Sequence, residues 1–153
     1  MIVNLGFGAL LIAFVLCMYG AVAAVYGARH GRDPWLASAR SAMLLTFPLL
    51  TLAALSIIYA LVTFDFPLDY VASVTSRSMP TYLRVTALWG GQAGSLLFWA
   101  WLMSAFASAV MLRDWRRDRE FLPWVILVSL VTLVFFLALI IFFENPFARL
   151  WQG

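Results

Sequence analysis

The sequence predicts an all-α, polytopic membrane protein with four transmembrane helices and a short, outward-facing interfacial segment. Three observations carry this. The 153 residues are 65% hydrophobic and 11% charged, against about half apolar and a quarter charged in soluble domains. Four runs hold no charged side chain between their ends: Met1 to Arg29, Arg40 to Asp65, Arg84 to Arg113 and Glu120 to Glu144. Each exceeds the roughly 20 residues that cross a hydrocarbon core. Short arginine-bearing connections separate them. The spans fall at about 5–26, 43–63, 85–112 and 122–143, and residues 1–153 form one membrane module.

The first span carries Gly20, Ala23, Ala24 and Gly27 at a spacing that lets another helix approach closely. It is not a cleaved signal peptide, because its positive charges, Arg29 and Arg32, follow the apolar run instead of preceding it. Cys17 lies within it and reads as a small buried apolar side chain. Gly31 and Asp33-Pro34 end one helix and start the next. Pro48 sits one turn into the second span, where its missing donor favours a kink. Thr46, Thr51, Ser56, Tyr59 and Thr63 on that span either bond to backbone and neighbours or line a pathway.

Phe66, Leu68, Tyr70, Val71 and Val74 suggest a segment lying on the membrane surface from about Asp69, with a turn at 76–80 leading into the third span. Pro123 suits the first turn of the fourth helix. Glu144-Asn145-Pro146 closes that helix and leaves a short tail.

All ten basic residues are arginine. Arg29, Arg32, Arg40, Arg113, Arg116, Arg117 and Arg119 lie on one side of the four spans, and Arg77, Arg84 and Arg149 on the other. The positive-inside rule then puts the first set in the cytoplasm, with both termini and the 65–84 connection outside. Arginines used this way do not indicate nucleic-acid binding. Trp35, Trp115, Trp124, Tyr70, Tyr82 and Trp89 fall where interfacial aromatic belts form.

No nucleophile–base pair, phosphate loop or metal-ligand spacing is present, and no catalytic or metal site is assigned. The single histidine, His30, sits in an arginine-rich connection. The unusual stretch is WGGQAGSLLFWAW, from Trp89 to Trp101. On a helix rising about 1.5 Å per residue, Trp99 lies roughly 15 Å inward of Trp89, so Trp99 and Trp101 approach mid-bilayer, beyond the reach of interface preference. Trp89, Gln92, Leu96 and Trp99 share one helical face. Gly90 with Gly94, and Gly91 with Ser95, repeat the spacing that admits a close neighbour. Either ordinary helix packing or a wall against a planar ligand or specific partner accounts for Trp89, Gly90, Gly91, Gln92, Gly94, Ser95 and Trp99.

These residues carry a resemblance. SRSMPTYLRVTALWGGQAGSLLFWAW (76–101) resembles a stretch of the cytochrome c-type biogenesis CcmF family, the haem-lyase component of cytochrome c maturation. The matching positions are Ser76, Met79, Pro80, Trp89, Gly90, Gly91, Gly94, Ser95, Leu96, Leu97 and Trp99. Asp65, Phe66, Tyr70, Val71 and Ala72 match a preceding family motif, and ENPFARL (144–150) a following one. Ala93 stands where the family often has an acid.

The resemblance implies the N-terminal portion of a longer protein of the bacterial cytoplasmic membrane. That protein works with other cytochrome c maturation proteins to attach haem to apocytochrome c on the outer side. Haem is the implied cofactor, with its ligands outside this chain, which would contribute scaffold and partner docking. The residues by themselves also suit a four-span structural subunit of a respiratory complex or a small transporter.

Overall fold

The computed structural model describes residues 2–63, 68–76, 78–113 and 118–149. Asp65, Phe66, Arg77, Trp115, Arg116, Arg117, Leu150 and Trp151 lie outside the described residues. The elements are α1 (Ile2–His30), α2 (Asp33–Thr63), α3 (Asp69–Val74), α4 (Thr81–Thr86), a 3₁₀ turn (Ala87–Trp89), α5 (Gln92–Met111) and α6 (Leu122–Phe142). Helices α1, α2, α5 and α6 are long and apolar enough to cross a membrane.

The four long helices pack as a ring in the order α1, α2, α5, α6, with α6 returning against α1. Small residues bring α1 close to its neighbours. Ala13, Gly20, Ala23, Ala24 and Gly27 are all buried. A Cβ at Gly20 would stand 2.7 Å from Leu130 Cδ1 of α6 and 3.2 Å from Ala42 Cβ of α2, so this one glycine seats two helices. Between the helices, Leu10, Met43, Leu50, Ile57, Leu97, Ile126, Leu130, Leu133 and Leu137 fill the centre and are fully buried. Val128, Val131, Phe135 and Phe142 stay exposed on α6, as an apolar face toward lipid should.

The α1–α2 connection turns where Gly31 and Asp33-Pro34 predict. Gly31, at φ 60°, takes the left-handed conformation, and the Arg32 amide reaches back to the Gly27 carbonyl at 3.1 Å. This is the glycine-terminated helix end, and α2 starts at Asp33, with Pro34 in its first turn. Helix α2 therefore begins well before the span expected at 43, and Arg40 lies inside it, donating to the Met111 carbonyl at the end of α5. A guanidinium there satisfies an orphan helix-terminal acceptor and complements the negative end of the dipole.

The third span differs most from expectation. In place of one helix from about 85, the chain forms α4, a 3₁₀ turn and a break at Gly90–Gly91, and α5 begins only at Gln92. The face drawn through Trp89, Gln92, Leu96 and Trp99 is thus not continuous. Measured from Gln92 at about 1.5 Å per residue, Trp101 is roughly 14 Å into a helix of roughly 30 Å and Trp99 roughly 10 Å. Trp101 keeps its mid-helix position, and Trp99 lies a third of the way along.

The segment after α6 is also more than a tail. The Asp69 amide bonds to the Ala148 carbonyl at 3.0 Å, and Leu68 pairs with Arg149 in an antiparallel bridge. Arg149 donates to Asn4 Oδ1 at 2.9 Å. Phe147 is buried, its ring 5.8 Å from that of Phe7. The returning segment ties together the start of α1, the start of α3 and the end of α6.

Candidate functional site

Four of the five polar residues singled out on α2 bond to the backbone of that helix, and the fifth, Tyr59, is half exposed. Thr46, Thr51, Ser56 and Thr63 donate back to the carbonyls of Ala42, Phe47, Leu52 and Tyr59, at 2.7–2.9 Å. They are committed to the helix that carries them, and Thr51 also accepts from Trp101 Nε1 at 2.9 Å. Trp101 is therefore a packing residue between α5 and α2, its ring tilted against Phe47 at 6.0 Å.

The break before α5 is organised by Tyr70 of α3. Its hydroxyl lies 2.9 Å from the Ala87 carbonyl and 2.7 Å from that of Leu88, so one proton is shared by two carbonyls where the 3₁₀ turn ends, and the Ala87 carbonyl also accepts the Gly90 amide at 3.0 Å. Burial pushes the phenol above its ordinary range, more than the Gly91 and Gly94 amides beside it pull it back. The proton stays on, and the group remains a donor. The ring occupies the space in front of the glycines: a Cβ at Gly91 would be 2.8 Å from Tyr70 Cε2, and one at Gly94 would collide with both the Leu88 carbonyl oxygen and the Tyr70 hydroxyl. Gly91 and Gly94 thus admit a tyrosine and a turn of backbone, not a second membrane-spanning helix. Gly90 is exposed and meets only its own turn. Ser95 Oγ closes the break by donating to the Trp89 carbonyl at 2.9 Å.

The seven candidate residues accordingly separate into two sets. Gly91, Gly94 and Ser95 build the break. Trp89, Gln92 and Trp99 remain on the surface with Gly90. Trp89 packs on Phe98 at 5.4 Å and Phe98 meets Trp99 edge-on at 6.3 Å, so Phe98 joins the two exposed tryptophans into one aromatic surface. In the sequence Tyr70 is distinguished as a belt residue, as part of the interfacial segment and as a match to a family motif, but not as a clamp. Its clamping role rests on contacts between residues 17 and 18 positions apart, which no spacing rule reports.

Beside the break, Asp69, Ser73, Gln92, Glu144 and Asn145 line a cavity of about 270 Å³. His30 stands at the other end of the bundle, where its ring stacks on Tyr26 at 4.3 Å and Nδ1 lies 3.1 Å from the Tyr26 carbonyl. Among the described residues no three His, Cys, Asp or Glu side chains converge as a metal site. A haem against the Trp89–Trp99 surface would therefore find aromatic walls but no histidine from this chain.

Taken together, these elements define a polytopic four-helix membrane module, stapled at one end by a short helix and a returning segment. Along its whole length the chain is homologous to one stretch of the CcmF-type cytochrome c biogenesis proteins. It is 33% identical over 153 residues to cytochrome c-type biogenesis protein ccl1 of Rhodobacter capsulatus, covering 100% of this chain and 23% of that protein. It is 34% identical over 149 residues to CcmF of Escherichia coli, covering 97% and 23%. The solved structure of a cytochrome c heme lyase CcmF superposes with a TM-score of 0.91 at 24% identity, over 100% of this chain and 26% of that one. No protein-family model matches the chain. The chain thus spans about a quarter of the length of these relatives.

Proposed function

We propose that this module is the membrane scaffold of a CcmF-type haem lyase acting in cytochrome c maturation. Its arginine-rich end faces the cytoplasm, and the clamped end faces the compartment where apocytochrome c receives haem. The reading is supported by homology over the full chain and by the positive-inside distribution.

One observation carries the specific role. Trp89 and Trp99 are 50% and 57% exposed, and a tryptophan well inside a span gains nothing from the interface that favours Trp89. Such large rigid side chains are typical anchors of protein contacts. The remainder of the haem lyase, or another maturation protein, docks on this surface, and apocytochrome c is engaged only through that assembly. The break beneath holds the surface still. The system handles haem, whose ligands come from outside this chain.

The test replaces Trp89 and Trp99 together by alanine in the native maturation system and measures covalent haem on a c-type cytochrome. Maturation should fall about tenfold, the effect of losing roughly 1.4 kcal/mol of docking energy, at unchanged protein level. Undiminished maturation at normal level overturns the proposal.

A further inference from the structure

At the arginine-rich end, two cavities lie side by side and share one residue. The first, of about 340 Å³, is lined by Arg29, Arg32 and Arg119 together with Asp33, Glu120 and Trp124. Its three guanidinium groups outnumber its two carboxylates. Asp33 is already engaged by Arg119 at 3.3 Å, while among the described residues neither Arg29 nor Arg32 has an acidic partner within 4.0 Å. Helix α6 begins at the same cavity with no side chain capping its first turn, so the positive end of its dipole adds to the potential there.

The second cavity, of about 420 Å³, is an open apolar groove lined by Val22, Val25 and Tyr26 of α1 and Leu127 of α6. Arg29 borders both. The groove runs from the charged mouth into the span, down the seam between α1 and α6.

We infer that this pair of cavities is a binding site for one anionic glycerophospholipid, with its phosphate at Arg29 and Arg32 and an acyl chain along Val22, Val25 and Leu127. A soluble anion satisfies only the first cavity, and a neutral lipid only the second. Trp124, exposed beside the charged mouth, marks headgroup depth. Basic pockets between membrane helices recognise anionic headgroups through the same charge complementarity.

The full chain in mixed nanodiscs of phosphatidylglycerol and phosphatidylcholine with matched acyl chains, followed by native mass spectrometry, tests this. One phosphatidylglycerol should be retained per chain, and the Arg29→Gln/Arg32→Gln variant should lose it about tenfold. Leu127→Trp, which fills the groove and leaves every charge in place, should also reduce retention. Arg113→Gln, at the same end but outside both cavities, should not. Helical content measured by circular dichroism confirms that each variant folds, and the wild-type preference between the two lipids stands independently of all of them. Equal retention of both lipids overturns the inference, as does an equal loss in Arg113→Gln. Complete displacement of the lipid by millimolar inorganic phosphate would show an anion site alone and overturn it too.

Discussion

The Tyr70 hydroxyl and the Leu88 carbonyl oxygen lie 2.7 Å apart, and together they fill the place where a side chain at Gly94 would stand. A surface helix, a helix break and the start of a membrane span are joined at this point. The obstacle at Gly94 is partly backbone, which cannot rotate aside as a flexible side chain would.

Gly94→Ala should therefore destabilise the module although alanine is the better helix former. Propensity favours the substitution by about 1 kcal/mol, while overpacking costs about 1–3 kcal/mol and here meets a carbonyl that holds the break. At Gly8, in α1, an added Cβ would meet nothing within 4 Å, and Gly8→Ala should stabilise by about 0.5–1 kcal/mol. Thermal unfolding in detergent should show opposite shifts for the two.

Tyr70→Phe keeps the ring and removes the side-chain donor that these two carbonyls share. The Ala87 carbonyl keeps the Gly90 amide, but leaving the buried Leu88 carbonyl without this donor costs about 1–3 kcal/mol. The loss should be local, read as faster hydrogen exchange at the amides of residues 90–95 with little change in α1.

The same phenol sets a pH limit. Its folded-state pKa is raised above the ordinary value of 10.0, so the folded state holds the proton more tightly than the unfolded chain. That stabilisation is complete below about pH 10 and is lost as pH rises through the folded value. Unfolding titrations should show a loss of stability above about pH 10 that is smaller in Tyr70→Phe.

Trp101 and Thr51 should prove coupled. A double-mutant cycle with Trp101→Phe and Thr51→Val should give about 0.6 kcal/mol, the usual size of an interhelical hydrogen bond in a membrane. A coupling near zero would mean that Trp101 contributes by packing alone.

Phe147→Ala should release the returning segment. A buried phenylalanine is worth about 3–5 kcal/mol, and the expected sign is new protease sensitivity near residues 145–149 together with loss of the Leu68–Arg149 pairing.

The sequence by itself determined the number of spans, the all-α class, the start of the surface helix at Asp69 and the small-residue face of α1. These follow from composition, from the length of apolar runs and from local backbone rules, all of which act over a few residues. The family resemblance was legible too, because it rests on residue order.

Only the tertiary structure decided what the Trp89–Trp101 stretch is. Periodicity assumes an unbroken helix, yet the chain stops at Gly90–Gly91 because Tyr70, brought in from α3, satisfies the carbonyls that a continuous helix would have used. That contact separates Gly91 and Gly94, which make room, from Trp89 and Trp99, which face outward. Two kinds of position that look like one motif in the sequence, one making room and one facing outward, are separated by the contacts of a single hydroxyl.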